Sequence, residues 1–216
     1  MLMLPLTPAQ AAHWFDWGKL WPEAARVLKP GGSLASWVRA RPHPEPIRAN
    51  PDYPPLSQGY SQFRLPRYPA LTPLIHQYSQ GTDPLQSIGP YWERPGRTIL
   101  DEHLEAVPDP RLAHAPSAWA DFERVYFTTP HHAMPAARPA VLRTRTTWAG
   151  VLDYLRTFSA LHTMKAAIPE AHDLEVRFWQ KLREEVARLE DRAEPVPEDE
   201  EVEIEWPMAV LLARKA

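Results

Sequence analysis

The chain has 216 residues, 44% of them hydrophobic and 24% charged, with a formal net charge of -3. That composition suits one soluble packed domain and supplies no basic footprint for nucleic acid or an anionic membrane surface. Cysteine is absent, which excludes a disulfide scaffold, a thiolate nucleophile and Cys-ligated zinc, and no segment approaches the roughly 20 apolar residues of a membrane span. Residues 1–6 are apolar but too short for a signal-peptide core and lack preceding basic residues, so the expected location is the cytosol (cytoplasmic).

In chain order, residues 2–6 form an apolar run that ends at Thr7-Pro8 and can be read as a strand. Asp16 stands where a helix N-cap belongs. Residues 19–28 follow with Leu20, Ala24, Val27 and Leu28 on one helical stripe. Lys29-Pro30-Gly31-Gly32 is a stop signal that joins a cation, a breaker and C-terminal glycines. Residues 33–38 (SLASWV) then read as a strand, and together these make an αβ unit, the building block of parallel sheets. Residues 41–73 hold nine prolines and break every period, which reads as an irregular insertion or lid.

Further along, residues 74–80 read as helical, and 98–107 as a helix with Ile99, Leu100, His103 and Leu104 on one face. Residues 122–128 alternate as a strand does, and the stretch to 139 reads as loop. Residues 147–167 predict one long helix, capped by Thr146 or Thr147, with Trp148, Val151, Leu152, Leu155, Phe158, Ser159 and His162 on a face. Residues 173–192 predict another, striped by Leu174, Phe178, Leu182, Val186 and Leu189. An acidic run over 194–205 reads as a solvated connection, and 202–213 as one strand or two halves broken near Pro207. No repeat of 20 to 50 residues is present.

Four blocks carry a resemblance. Residues 7–16 (TPAQAAHWFD) run through 24–32 (AARVLKPGG) into the first clear strand. Gly89-Pro90-Tyr91-Trp92-Glu93 is followed by Arg97, 154–160 reads YLRTFSA, and 205–214 reads EWPMAVLLAR. In this order the blocks resemble the C-terminal part of class I S-adenosylmethionine-dependent methyltransferases, and are most similar to the group of trans-aconitate methyltransferase, its fungal members above all. The resemblance covers essentially the whole chain. It implies an α/β fold with a partial Rossmann-like methyltransferase sheet in the order 4-5-7-6, strand 7 antiparallel. Residues 1–6 stand for strand 4, 33–38 for strand 5, the final strand for 7 and 122–128 for 6. Residues 1–216 are thus one truncated methyltransferase-like domain, with the Pro-rich 41–73 inside it.

The same resemblance implies S-adenosyl-L-methionine as cofactor and a small-molecule acceptor such as a carboxylic acid. Gln10 and Trp14 are its cofactor-side residues and His13 its candidate base. Tyr91, Trp92, Arg97 and Arg156 are its acceptor-side residues, with His162 on the same helix as Arg156. The family's GxGxG loop has no counterpart, because the glycines at 18, 31, 32, 59, 81, 89, 96 and 150 never stand one residue apart. The expectation is therefore a chain without the cofactor-binding half, impaired as a catalyst. The alternatives are an incomplete gene product, or a non-catalytic module that self-associates or takes a partner along an exposed strand 4 edge. No metal is expected. His131-His132 has no carboxylate at ligand spacing, and no GxSxG elbow supports a hydrolase.

Overall fold

The computed structural model describes residues 14–39, 63–94, 104, 107–113, 116–128 and 138–216. The expected strand at 1–6 lies outside them, as do Gln10, His13, Arg97 and most of the Pro-rich insertion.

Helix α1, Trp17–Val27, starts where Asp16 accepts a hydrogen bond from the Lys19 N–H at 3.3 Å. Its far end is closed from the opposite end of the sequence. The Lys215 ammonium donates to the carbonyls of Ala25 (2.5 Å) and Leu28 (2.6 Å), which no further helical N–H can satisfy. The turn that follows needs its glycines. Gly31 adopts φ 72°, and a Cβ on Gly32 would stand 2.8 Å from the Lys29 carbonyl oxygen.

That turn delivers strand β1, Ser33–Arg39. Strand β2 is Trp119–Thr128 and β3 the two residues Arg138–Pro139. The last strand of the chain, Met208–Lys215, is β6. It lies between β1 and β2 and is antiparallel to both, from Ser33↔Arg214 to Arg39↔Met208 on one side and from Trp119↔Lys215 to Phe127↔Met208 on the other. β1 and β2 therefore point the same way, and β3 extends the sheet in parallel beside the end of β2. One sheet face packs on α1. Trp21, Leu34 and Leu211 are wholly buried there beside Trp17, Ala24, Ala209 and Ala213, each leucine contributing about 2 kcal/mol by burial.

A second layer is built from helices and a small sheet. Strands β4, Leu142–Thr147, and β5, Glu201–Trp206, pair antiparallel. Helices α2 (Thr72–Gln80), α4 (Trp148–Arg156), α5 (Ser159–Ala167) and α6 (Leu174–Leu189) pack with them, while a short α3, Pro110–Ala113, precedes β2. Their shared core includes Ile75, Trp148, Val151, Leu155, Met164, Leu182, Val186 and Ile204. The indole of Trp179 on α6 donates to the Trp148 carbonyl at 2.7 Å and ties the first turn of α4 to α6.

The structure departs from the sequence expectations at several places. The single helix over 147–167 is two. Phe158 takes an extended ψ of 120°, the Thr157 hydroxyl turns back to the Tyr154 carbonyl, and the Phe158 ring goes into the core. One expectation here holds: the run 202–213 is broken at Pro207, into two strands that lie in two different sheets, and the missing N–H of the proline suits the joint. Residues 142–147 form a strand, although Arg143, Thr144 and Arg145 are exposed and give little apolar alternation. Of 98–107 only Leu104 and Val107 are described, and Leu104 has φ 63°, which no continuous helix accommodates. At the end of the Pro-rich segment, Phe63, Leu65 and Leu71 are buried core residues. Backbone bonds between Arg64 and Glu205 fasten that end to β5.

Candidate functional site

Of the sequence-predicted acceptor residues, Tyr91 and Trp92 pack against the core of the helical layer, and Arg156 is the last residue of α4. The segment that carries the first two is folded back on the end of α2. The Ser87 hydroxyl donates to the Tyr78 carbonyl at 2.9 Å and accepts from the Gly89 N–H at 2.9 Å. Gly89 opens a 3-10 turn, Gly89–Tyr91, at a point where a Cβ would run into the carbonyl oxygen of Gly81 and the backbone of Gln80. The turn rests on α5. Trp92 then donates its indole N–H to the Ser79 carbonyl at 2.9 Å, and the Tyr91 hydroxyl reaches the Pro84 carbonyl at 3.5 Å.

From Trp92 a series of rings runs across the break between α4 and α5. The Trp92 ring lies 5.9 Å from Phe158, Phe158 5.0 Å from Tyr154 at 90°, and Tyr154 5.5 Å from Trp206 and 5.7 Å from Phe63. The contacts of Tyr154 with Phe158, Trp206 and Phe63 are edge-to-face, a preferred geometry for aromatic pairs, and that of Trp92 with Phe158 is tilted at 47°. Trp206 donates its indole N–H to the Tyr154 hydroxyl oxygen at 2.8 Å. Tyr91, Trp92 and Tyr154 are half-buried, whereas Phe158, Trp206 and Phe63 are buried.

Arg156, two residues before Phe158, sits between carboxylates. It is 3.4 Å from Asp153 and 4.0 Å from Glu175 of α6. The same Glu175 oxygen, Oε1, takes the Lys165 ammonium at 2.6 Å. Two cations thus face two anions. The pairs differ in environment, because the Glu175 side chain is 4% exposed and that of Asp153 78%.

Behind Glu175 lies Tyr78. Its ring stacks on Phe178, three residues after Glu175 on α6, at 4.0 Å and 2°. Among the described residues, neither the Tyr78 hydroxyl nor Glu175 Oε2 has a hydrogen-bond partner. Burial, with the Glu175 charge adding to it, pushes the Tyr78 hydroxyl well above its ordinary range. Tyr78, Glu175 and Lys165 were not singled out by sequence reasoning. The available signal was Glu175 itself, a carboxylate one helical step from the apolar stripe of α6.

The remaining candidates are placed elsewhere or not described. Trp14 stands just before α1, half-exposed, on the side of the main sheet. His162 is exposed on α5. Gln10, His13, Arg97 and the His131-His132 pair lie outside the described residues. Among the described residues, no group of three or more His, Asp or Glu side chains could hold a metal ion, and no helix is long and apolar enough to cross a membrane.

No family model matches the chain. A solved structure does: a protein of Anaeromyxobacter dehalogenans provisionally named a type II methyltransferase, at 17% identity and a TM-score of 0.52. The match covers 97% of this chain and 63% of that one, so the chain spans less than two thirds of the length of its structural neighbour. Identity at this level carries the fold alone. The chain has a mixed α/β, methyltransferase-like fold.

Proposed function

We infer that this chain is the acceptor-side portion of an S-adenosylmethionine-dependent methyltransferase for a small molecule. The observation that carries the reading is the sheet: a central antiparallel β6 between β1 and β2, which run parallel to each other. On this reading β1, β6 and β2 correspond to strands 5, 7 and 6, and residues 1–6 to strand 4 beside β1. A structural neighbour named as a methyltransferase supports it.

The cofactor's fit to the residues present is partial. Trp14, half-exposed before α1, is an aromatic residue of the kind that suits a flat base or a sulfonium. No glycine pair with GxG spacing exists to let the backbone approach the cofactor closely. When bound, the cofactor supplies an electrophilic methyl for in-line displacement. The chain's own contribution is to hold the acceptor, since positioning is the main lever in such a reaction. Gln10 and His13 belong to the same segment as Trp14, and His13 is the candidate to take a proton from the acceptor.

Isothermal titration with S-adenosylhomocysteine tests the reading. A dissociation constant of about 0.1–1 mM, weakened further by Trp14→Ala, is expected for a partial site. Micromolar affinity would overturn the partial-site argument. No detectable binding at millimolar ligand would overturn the methyltransferase reading for this chain.

A further inference from the structure

We propose that the chain moves as two bodies about a hinge made of residues 140–141 and Pro207. The main sheet with α1 is one body, and the helical layer with β4 and β5 is the other. The hinge rests on the geometry of the joints and not on the methyltransferase reading.

The first observation is that each body has a hydrophobic core of its own. Trp21, Leu34, Leu104 and Leu211 belong to one. Ile75, Leu155, Leu182 and Ile204 belong to the other. Among the described residues the two cores have no residue in common. Relative motion is the default for parts of a chain that are cored separately, because it takes a large apolar interface to hold them in one arrangement.

The second observation is where the strands change sheets. β3 ends at Pro139 in the main sheet and β4 begins at Leu142 in the small one. β5 ends at Trp206 in the small sheet and β6 begins at Met208 in the main one. The two crossings are adjacent on one side, where Leu142 pairs with Trp206. They part on the other side, where β2 stands between them, with Phe127 paired to Met208 and to Arg138. Each crossing carries a proline, which has no N–H to give a ladder, so neither ladder is continued through the joint at that residue. Val141 is 61% exposed, so its side chain does not pack the crossing in place. Stiff paired strands thus meet at joints of one or two residues, which is how hinges concentrate a rotation.

The candidate residues divide along the same line. Trp14 stands before α1 on the first body, while Tyr91 and Trp92 pack on the core of the second and Arg156 ends α4. Turning about the hinge changes the distance between these sets and leaves both cores intact. On the methyltransferase reading, that motion sets the gap between donor and acceptor and closes it against water.

The chain has no cysteine, so introduced cysteines take spin labels at chosen sites alone. Lys19→Cys on α1 with Lys181→Cys on α6 spans the hinge, and Gln77→Cys on α2 with Lys181→Cys stays inside the second body. All three positions are exposed. Double electron–electron resonance on the full chain is expected to give the spanning pair a distance distribution at least about twice as wide as that of the inner pair. Pro207→Gly frees the φ of the joint and is expected to widen the spanning distribution further while leaving the inner one unchanged, with circular dichroism checking that the fold is kept. Equal widths for the two pairs overturn the proposal. So does a spanning distribution that Pro207→Gly leaves unchanged, or one that widens only together with the inner one. No ligand enters this experiment, so its failure and a failed S-adenosylhomocysteine titration are separate results: the first discards the hinge, the second the methyltransferase reading.

Discussion

Replacing Tyr78 by Phe removes one oxygen from a place where it has no partner. The ring is 2% exposed and stacks face to face on Phe178 at 4.0 Å, a contact that Phe preserves. A buried hydroxyl left without a hydrogen bond costs roughly 1–3 kcal/mol on protein scales. Its removal leaves a void smaller than a methyl group, so the net expectation is a stabilisation of about 1 kcal/mol at pH 7. For a chain of this size that is a rise in melting temperature of about 2–4 °C. The sign of the pH dependence follows from burial. The folded state holds the Tyr78 hydroxyl neutral and its pKa is raised above the ordinary 10.0. The unfolded chain therefore loses that proton first, and the contribution of Tyr78 is whole below about pH 10 and is lost as pH rises above it, at about 1.4 kcal/mol per pH unit. Tyr68, pushed up to about 12 by burial and by its 2.7 Å hydrogen bond to Glu190, keeps a similar slope in both proteins. The advantage of Tyr78→Phe should thus widen between pH 10 and 11. Urea denaturation followed by circular dichroism at pH 7, 10 and 11 measures it. A variant destabilised by more than about 1 kcal/mol at pH 7 would mean that the hydroxyl is bonded, with Glu175 Oε2 as its partner, and the argument from an orphaned group would be wrong.

Two further substitutions test the local architecture. Gly89→Ala places a methyl against the Gly81 carbonyl and the Gln80 backbone, neither of which can swing aside; it should cost about 2–3 kcal/mol in urea unfolding and, by displacing Tyr91 and Trp92, shift the near-ultraviolet aromatic signal of the folded state. Thr147→Ala removes the hydroxyl that accepts from the Gly150 N–H at 3.2 Å, the N-cap of α4, and should lower stability by about 1 kcal/mol, whereas Thr147→Ser should restore most of it.

What was legible in the sequence was local. Asp16, the Leu20–Ala24–Leu28 spacing and the Pro-Gly-Gly turn are short-range signals, and α1, its turn and β1 stand where they predict. The apolar stripe of 173–192 likewise yields α6, Leu174–Leu189. The failures share one cause, which is tertiary contact overriding period. The helix over 147–167 has an unbroken apolar stripe, yet Phe158 gains more by turning into the rings of Tyr154 and Trp92 than by continuing the helix. β4 lacks alternation because its stability comes from pairing with β5 and from cross-strand charge, with Arg143 set against Glu203 and the buried Glu205. The sequence singles out Tyr91, Trp92 and Arg156 by residue type, and the structure packs the first two on the core and sets Arg156 beside carboxylates. Glu175 shows in the sequence only as a carboxylate beside the apolar stripe of α6, and packing is what brings it to Arg156 of α4 and Lys165 of α5.

The joint at Pro207 links the two halves of the argument. Trp206, the last residue of β5, belongs to the ring series of Trp92, Phe158 and Tyr154, while Met208 begins the central strand of the main sheet. Only one residue separates them, and it is the one whose φ is fixed by its own ring. Trp206 is further held by its hydrogen bond to Tyr154 and by the pairing of Leu142 with Trp206 in β4–β5. A strand paired on both edges is among the stiffest elements a fold contains. The ring series is thus anchored to the sheet through covalent geometry at its Trp206 end, and to α2 through the folded-back segment 87–92 at its Trp92 end.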